Sequence, residues 1–143
     1  MSKIEKVLVT GKTHTSAVTP GNVHSNVNLN LTAAGARDIN LENIVAHPTA
    51  EQLFAGAWSA CYISAVSLVA AAKKVQLPAD TAVDIEVDLG QTGDQYFLQA
   101  RLTLRVPGLP LEVATAIAHE ADAACPYSKA TKGNIDVALT VSI

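Results

Sequence analysis

Residues 53–72 carry no charge, and this run constrains the chain more than any other segment. About 20 apolar residues are enough to cross a bilayer. Alanine dominates here, however, and Gly56, Ser59, Ser64 and Ser67 interrupt the run. Alanine contributes little to membrane insertion, and the flanking segments alternate like sheet strands. The reading is therefore a buried core helix and no membrane association. A helix that is apolar nearly all round needs cover on most sides. One small sheet does not give that cover, so a second copy of the chain, a homodimer, is expected. The composition, 49% hydrophobic and only 16% charged, points the same way.

The 143 residues suit a single domain, 1–143, large enough to bury a core without a metal or a disulfide. Residues 4–10 read as a short edge strand. Residues 13–22 are rich in Thr, Ser, Pro and Gly and read as a loop, with a turn at Pro20, Gly21 and Asn22. From Val23 the pattern alternates, with Val27, Leu29 and Leu31 against Asn26, Asn28 and Asn30, which predicts a half-buried strand. Thr49 followed by Gln52 is a capping box, so the long helix starts there and runs to about Lys74. Residues 82–89 and 96–106 form a hairpin around a turn at 90–94. In its first strand Val83, Ile85, Val87 and Leu89 face inward, and Asp84, Glu86 and Asp88 face outward. Pro110 suits the first turn of a second helix whose apolar stripe is Leu111, Ala114, Ile117, Ala118 and Ala121. Cys125-Pro126 ends that helix, because a residue before proline avoids the helical region. Lys129 and Lys132 then read as a solvated loop, Gly133-Asn134 as a turn, and residues 135–143 as the last strand. This order predicts an α+β fold with helices packed on an antiparallel sheet.

A net charge of −3 argues against binding nucleic acid or an anionic membrane, both of which call for a basic face. The first ten residues hold Lys3, Glu5 and Lys6 and no apolar stretch, so the expected compartment is the cytoplasm. Two cysteines there are thiols, and a pair kept reduced is more often catalytic or redox-active than structural. Cys61 sits among Ala57, Trp58, Ser64 and Ala65 at helical spacing. That setting fits a small core hydrophobe as well as a reactive thiol. Cys125 ends a helix, where the partial negative charge disfavours a thiolate. If one attacks and the other resolves, Cys61 attacks. They form no CxxC motif, and spacing alone does not say whether they meet. Glu51 stands ten residues before Cys61, about 15 Å along the axis. It complements the helix dipole, or it acts on a cysteine through a bridging residue or from another chain. His14, His24, His47 and His119 lack metal-ligand spacing, and no nucleotide-binding or nucleophile-elbow motif is present. Neither a metal nor an organic cofactor is implied.

Two runs resemble a known family. Pro48-Thr49-Ala50-Glu51-Gln52-Leu53-Phe54-Ala55-Gly56-Ala57-Trp58-Ser59-Ala60-Cys61 is similar to the PEQLFAAGYAAC helix of the organic hydroperoxide resistance branch of the Ohr/OsmC family. Cys125-Pro126-Tyr127-Ser128-Lys129-Ala130-Thr131-Lys132-Gly133-Asn134-Ile135-Asp136-Val137 resembles its CPYSNATRGNIDV run nearly residue for residue. The resemblance implies an intertwined α+β homodimer, with long central helices wrapped by antiparallel sheets and sites at the subunit interface. It implies a thiol-dependent peroxidase acting on organic hydroperoxides, with Cys61 as the peroxidatic and Cys125 as the resolving residue. The expected reductant is a dithiol or a lipoylated protein. Phe54 and Trp58 are candidates to line an apolar substrate pocket.

The chain departs from the family at one point. Family members carry an arginine after the first strands, paired with the glutamate that matches Glu51. Here the matching stretch reads Val18-Thr19-Pro20-Gly21-Asn22-Val23, without one. A free thiol is only a few per cent ionised at neutral pH, so a missing cation slows attack. Arg37, in the loop before the long helix, is the candidate substitute; otherwise it is a solvated loop residue. The departure keeps two alternatives open. One is an OsmC-like redox protein of broader peroxide use. The other is a peroxide sensor or apolar-ligand binder without turnover.

Overall fold

The structure, a computed structural model, describes residues 2–17, 27–30 and 49–143. The alternating hairpin forms the middle of the sheet. Strands β3 (Ala82–Thr92) and β4 (Gln95–Arg105) run antiparallel, with Val83 opposite Leu104, Ile85 opposite Leu102 and Val87 opposite Ala100. Like faces like, so one side of the ladder is an unbroken apolar surface. The turn is tighter than the expected 90–94. Pairing continues through Gly90 to Thr92, and Gly93-Asp94 alone make the turn, with Gly93 in the left-handed region at φ 55°.

The full strand order is β2-β1-β3-β4-β5. Strand β1 (Lys6–Ala17) corrects the expectation of an edge strand at 4–10 followed by a loop. It is longer, and it lies inside the sheet between β3 and β2 (Val27–Asn30), antiparallel to both. Past Val9, its inner face presents Gly11, Thr13 and Thr15 instead of large apolar residues, which makes the strand hard to read. Helix α1 (Ala50–Ala72) explains this, since its first turns lie on that part of the strand. A Cβ on Gly11 would stand 2.5 Å from the Gln52 nitrogen and 2.6 Å from the Glu51 carbonyl carbon. Thr15 Oγ1 hydrogen-bonds Ser59 Oγ at 2.8 Å, and Ser59 Oγ donates to the Gly56 carbonyl at 3.1 Å. Gly11→Ala is therefore expected to destabilise the fold by about 1–3 kcal/mol, because backbone must move to admit the methyl group. Thermal unfolding measures this; an unchanged Tm would show that β1 and α1 are not in close apposition.

The capping box at the start of α1 is present as read. The Gln52 amide donates to Thr49 Oγ1 at 3.2 Å, and the Thr49 amide donates to Gln52 Oε1 at 2.9 Å. The helix ends with Lys73 as its C-cap. It is long and apolar enough to cross a membrane by length and composition. Here one side of it, including Ala55, Trp58, Tyr62, Val66 and Ala70, is buried against the sheet and α2 (Leu111–Ala124). On the other side, Leu53, Ala57, Leu68, Ala71 and Ala72 are exposed among the described residues.

Helix α2 buries Ala114, Ile117, Ala118 and Ala121, as its stripe predicts. Pro110 is its N-cap and not part of its first turn, which leaves Leu111 exposed. The chain then forms a third helix, α3 (Pro126–Thr131), where a solvated loop was expected. Pro126 takes its first position, and Cys125 is at once the C-cap of α2 and the N-cap of α3. Strand β5 (Asp136–Ser142) follows and pairs with β4 in parallel, not antiparallel as expected. The two helices carry the chain back along the sheet, and a crossover of that length permits a parallel neighbour. The fold is α+β, with the helices packed against one face.

The other face is a lattice of charges. Asp88 points outward as predicted, yet it is 2% exposed. Arg101 closes over it with two hydrogen bonds, at 2.6 and 2.9 Å, and Thr10 and Gln99 add two more. Burial pushes the Asp88 carboxyl up, but these hydrogen bonds and the Arg101 charge outweigh it and hold the group at about 2. Arg101 also pairs with Glu86, and Arg105 pairs with Asp84.

Candidate active site

The fold brings together two residues that lie far apart in the sequence. Cys61 sits midway along α1, and Cys125 sits at the α2–α3 junction. Their sulfurs are 3.1 Å apart, with the Cys125 thiol donating to Cys61 Sγ. A disulfide requires about 2.05 Å, so closing the pair takes roughly 1 Å of movement. The two thiols differ in access. Cys61 is partly exposed, whereas Cys125 has no exposed surface. A molecule from solvent therefore meets Cys61 first.

The immediate surroundings do little to ionise Cys61. Burial pushes its thiol up, and the neighbouring Cys125 adds to that. Against them, the backbone N–H of Tyr127, at the start of α3, favours the thiolate of Cys61. Sequence reasoning missed this donor. Its signal was Pro126 directly after Cys125, which marks a helix start as well as a helix stop.

Trp58 and Phe54 lie one and two turns before Cys61 on α1. Their rings meet edge-on, with centroids 5.9 Å apart at 73°. Phe54 is half-buried. Trp58 is fully buried, and its indole N–H donates to Ser128 Oγ at 3.1 Å. Phe54 is thus the member of the pair with surface to offer a ligand. Tyr62, one residue past Cys61, donates from its hydroxyl to the Ala118 carbonyl at 2.8 Å and so fixes α1 on α2.

The structure does not bring Glu51 to the cysteine pair. It sits in the first turn of α1, 5% exposed, pressed against Gly11 of β1. Ten helical residues separate it from Cys61 of the same chain, about 15 Å. Its Oε2 is buried with no hydrogen-bond partner among the described residues. A buried carboxylate oxygen without a partner is costly. Arg37 and residues 18–23 lie outside the described residues. Among the described residues no cluster of His, Cys, Asp and Glu is arranged to hold a metal ion.

A partly exposed thiol backed by a buried one, on helices packed against a mixed sheet, defines a two-cysteine thiol protein of α+β fold. A family model described as OsmC-like protein matches residues 40–140, and the chain belongs to that family. An organic hydroperoxide resistance protein of Xanthomonas axonopodis pv. citri is 40% identical over 92 residues, 64% of this chain and 65% of the relative. The organic hydroperoxide resistance protein OhrA of Bacillus subtilis is 36% identical over 92 residues, again 64% and 65%. The match thus spans just under two thirds of the length of these relatives. Among solved structures, an organic hydroperoxide resistance protein from Legionella pneumophila superposes with a TM-score of 0.66 at 32% identity, covering 90% of this chain and 96% of that one. One from Elizabethkingia anophelis gives 0.65 at 31%, covering 97% and 99%.

Proposed function

We propose that the chain is a thiol-dependent peroxidase that reduces organic hydroperoxides to alcohols. The observation that carries this reading is the pairing of a reachable Cys61 with an enclosed Cys125 at 3.1 Å. The relatives named for organic hydroperoxide resistance support the same substrate class. In the first step the Cys61 thiolate attacks the terminal oxygen of the hydroperoxide. The O–O bond breaks, a sulfenic acid forms on Cys61, and the departing alkoxide takes up a proton to become the alcohol. In the second step Cys125 attacks the Cys61 sulfur. The S–O bond breaks, water leaves with the Cys125 proton, and a Cys61–Cys125 disulfide remains. A dithiol, free or as a lipoylated protein, returns two electrons and two protons and restores both thiols. The reading places the chain in the cytoplasm, where a reducing thiol pool keeps the pair open.

The exposed stripe of Leu53, Ala57, Leu68 and Ala71 along α1 supports a homodimer in which a second copy covers this helix. Cys61 lies on the same side of the helix, so the site would be completed across that interface. Glu51 then serves a cysteine of the other copy, and Arg37 supplies the cation for its unpaired oxygen. Phe54 lines the apolar approach to Cys61.

Intact mass and a free-thiol count after one equivalent of cumene hydroperoxide, with hydrogen peroxide in parallel, test the reading. Fast loss of two thiols with the organic peroxide is the expected result. Slow loss with both peroxides sinks it. One observation favours a second reading: burial and the neighbouring Cys125 raise the Cys61 thiol, and among the described residues the Tyr127 backbone alone opposes them. A slow Cys61 suits a peroxide sensor or apolar-ligand binder without turnover. A protein of broader peroxide use would instead consume both peroxides alike. Repeated turnover in excess dithiol separates the enzyme from the sensor.

A further inference from the structure

Helix α3 has six residues, too few to hold a helix by itself. Its two buried residues, Ser128 and Thr131, are both hydroxyl-bearing, so apolar burial does little to dock it. Thr131 spends its hydroxyl inside the helix, donating to the Ser128 carbonyl at 3.0 Å. Ser128 is different, because its Oγ accepts the indole N–H of Trp58 from α1. This contact and the cysteine contact join the same two segments. Trp58 lies one turn before Cys61 on α1, and Ser128 lies one turn after Cys125 on α3. The Lys129 amide, which donates to the Cys125 carbonyl at 3.0 Å, closes the intervening turn.

We propose that Trp58 and Ser128 form a tether that sets the cysteine pair. Their hydrogen bond holds the first turn of α3 on α1, so that Cys125 Sγ stays on Cys61 Sγ. Trp58 and Ser128 are positioning residues, and they act on the sulfurs through α3. The side chains suit this role. A buried indole N–H needs an acceptor, and both groups are almost fully enclosed, so losing either partner leaves the other unsatisfied in a dry setting. Closing the pair demands specific disulfide geometry from a short, weakly docked helix, so a fixed point one turn away decides how often the sulfurs are in reach. The inference rests on the disulfide step of the proposed function.

The test is the equilibrium of the pair in dithiothreitol buffers, which involves no peroxide. Closure forms the Cys61–Cys125 bond, and oxidised dithiothreitol accepts the two electrons and two protons. Ser128→Ala and Trp58→Phe are each expected to lower the equilibrium constant for closure about five- to tenfold, the worth of one buried hydrogen bond. The double variant should fall no further than either single one, because both remove the same contact. Ser128→Ala removes a single oxygen and carries the test alone if Trp58→Phe does not fold. Constants within about twofold of the wild type, or effects that add in the double variant, overturn the tether. A wild-type pair that closes in this buffer while ignoring cumene hydroperoxide overturns the peroxidase reading and leaves the tether standing. A pair that never closes overturns both the tether and the disulfide step.

Discussion

Cys125→Ser should take up one oxygen from cumene hydroperoxide at the wild-type rate and then fail to turn over. Its Cys61 has lost the thiol that lies 3.1 Å away in the native protein. The sulfenic acid then persists, and excess peroxide carries it on to the sulfinic acid, a gain of about 32 Da by intact mass. Cys61→Ser should instead lose peroxide consumption about a thousandfold or more, because the buried Cys125 does not meet the substrate. The asymmetry between the two variants is the informative result. Equal losses of the first oxidation in both would assign the pair a structural role. Wild-type turnover by Cys125→Ser would remove the resolving role from that residue.

The second large effect concerns the cation. The chain has three arginines, Arg37, Arg101 and Arg105. Two of them are committed on the outer face of the sheet, Arg101 to Asp88 and Glu86 and Arg105 to Asp84. In the proposed site, Arg37 is the arginine assigned to the Glu51 oxygen that has no partner among the described residues, and to favouring a thiolate that burial opposes. Arg37→Ala should slow oxidation of Cys61 about 10- to 100-fold near pH 7, the range over which a neighbouring cation changes the thiolate fraction. The sign of the pH effect follows. Removing the cation raises the Cys61 pKa, so the rate should recover as pH is increased and the alkylation profile should move to higher pH. Arg105→Ala serves as the control and should retain the rate. An alkylation profile for Arg37→Ala that matches the wild type would sink the substitution of one arginine for another.

The parts of the fold that could be read from the sequence are those with strong local chemistry. Thr49 and Gln52 mark the start of α1 because a capping box satisfies two orphan amides at once. The β3–β4 hairpin is legible because Val83, Ile85, Val87 and their partners repeat with the period of a pleated strand. Strand β1 is harder to read because α1 lies so close that, past Val9, its inner face is Gly11, Thr13 and Thr15, which hides the period. Helix α3 escaped because six residues do not complete two turns of an amphipathic pattern. The parallel pairing of β5 depends on how α2 and α3 return the chain, and no residue in β5 records its direction. At the site, each cysteine was legible as a candidate, but their meeting was not. It arises because α1 and α3 pack against each other across 64 positions of sequence, with Trp58 and Ser128 beside the sulfurs.

The enclosure of Cys125 makes the pair a chamber with a single door. In the proposed cycle, oxidant would arrive at the Cys61 sulfur, and once the bridge had formed, the reductant would find the same atom and no other. The two visitors therefore take turns at one threshold, and neither needs to recognise the other. Any surface feature that admits a bulky, greasy peroxide must also admit the long reach of a dithiol. Selection on one guest is thereby selection on both, and a narrower entrance would trade peroxide preference against the speed at which the protein is made ready again.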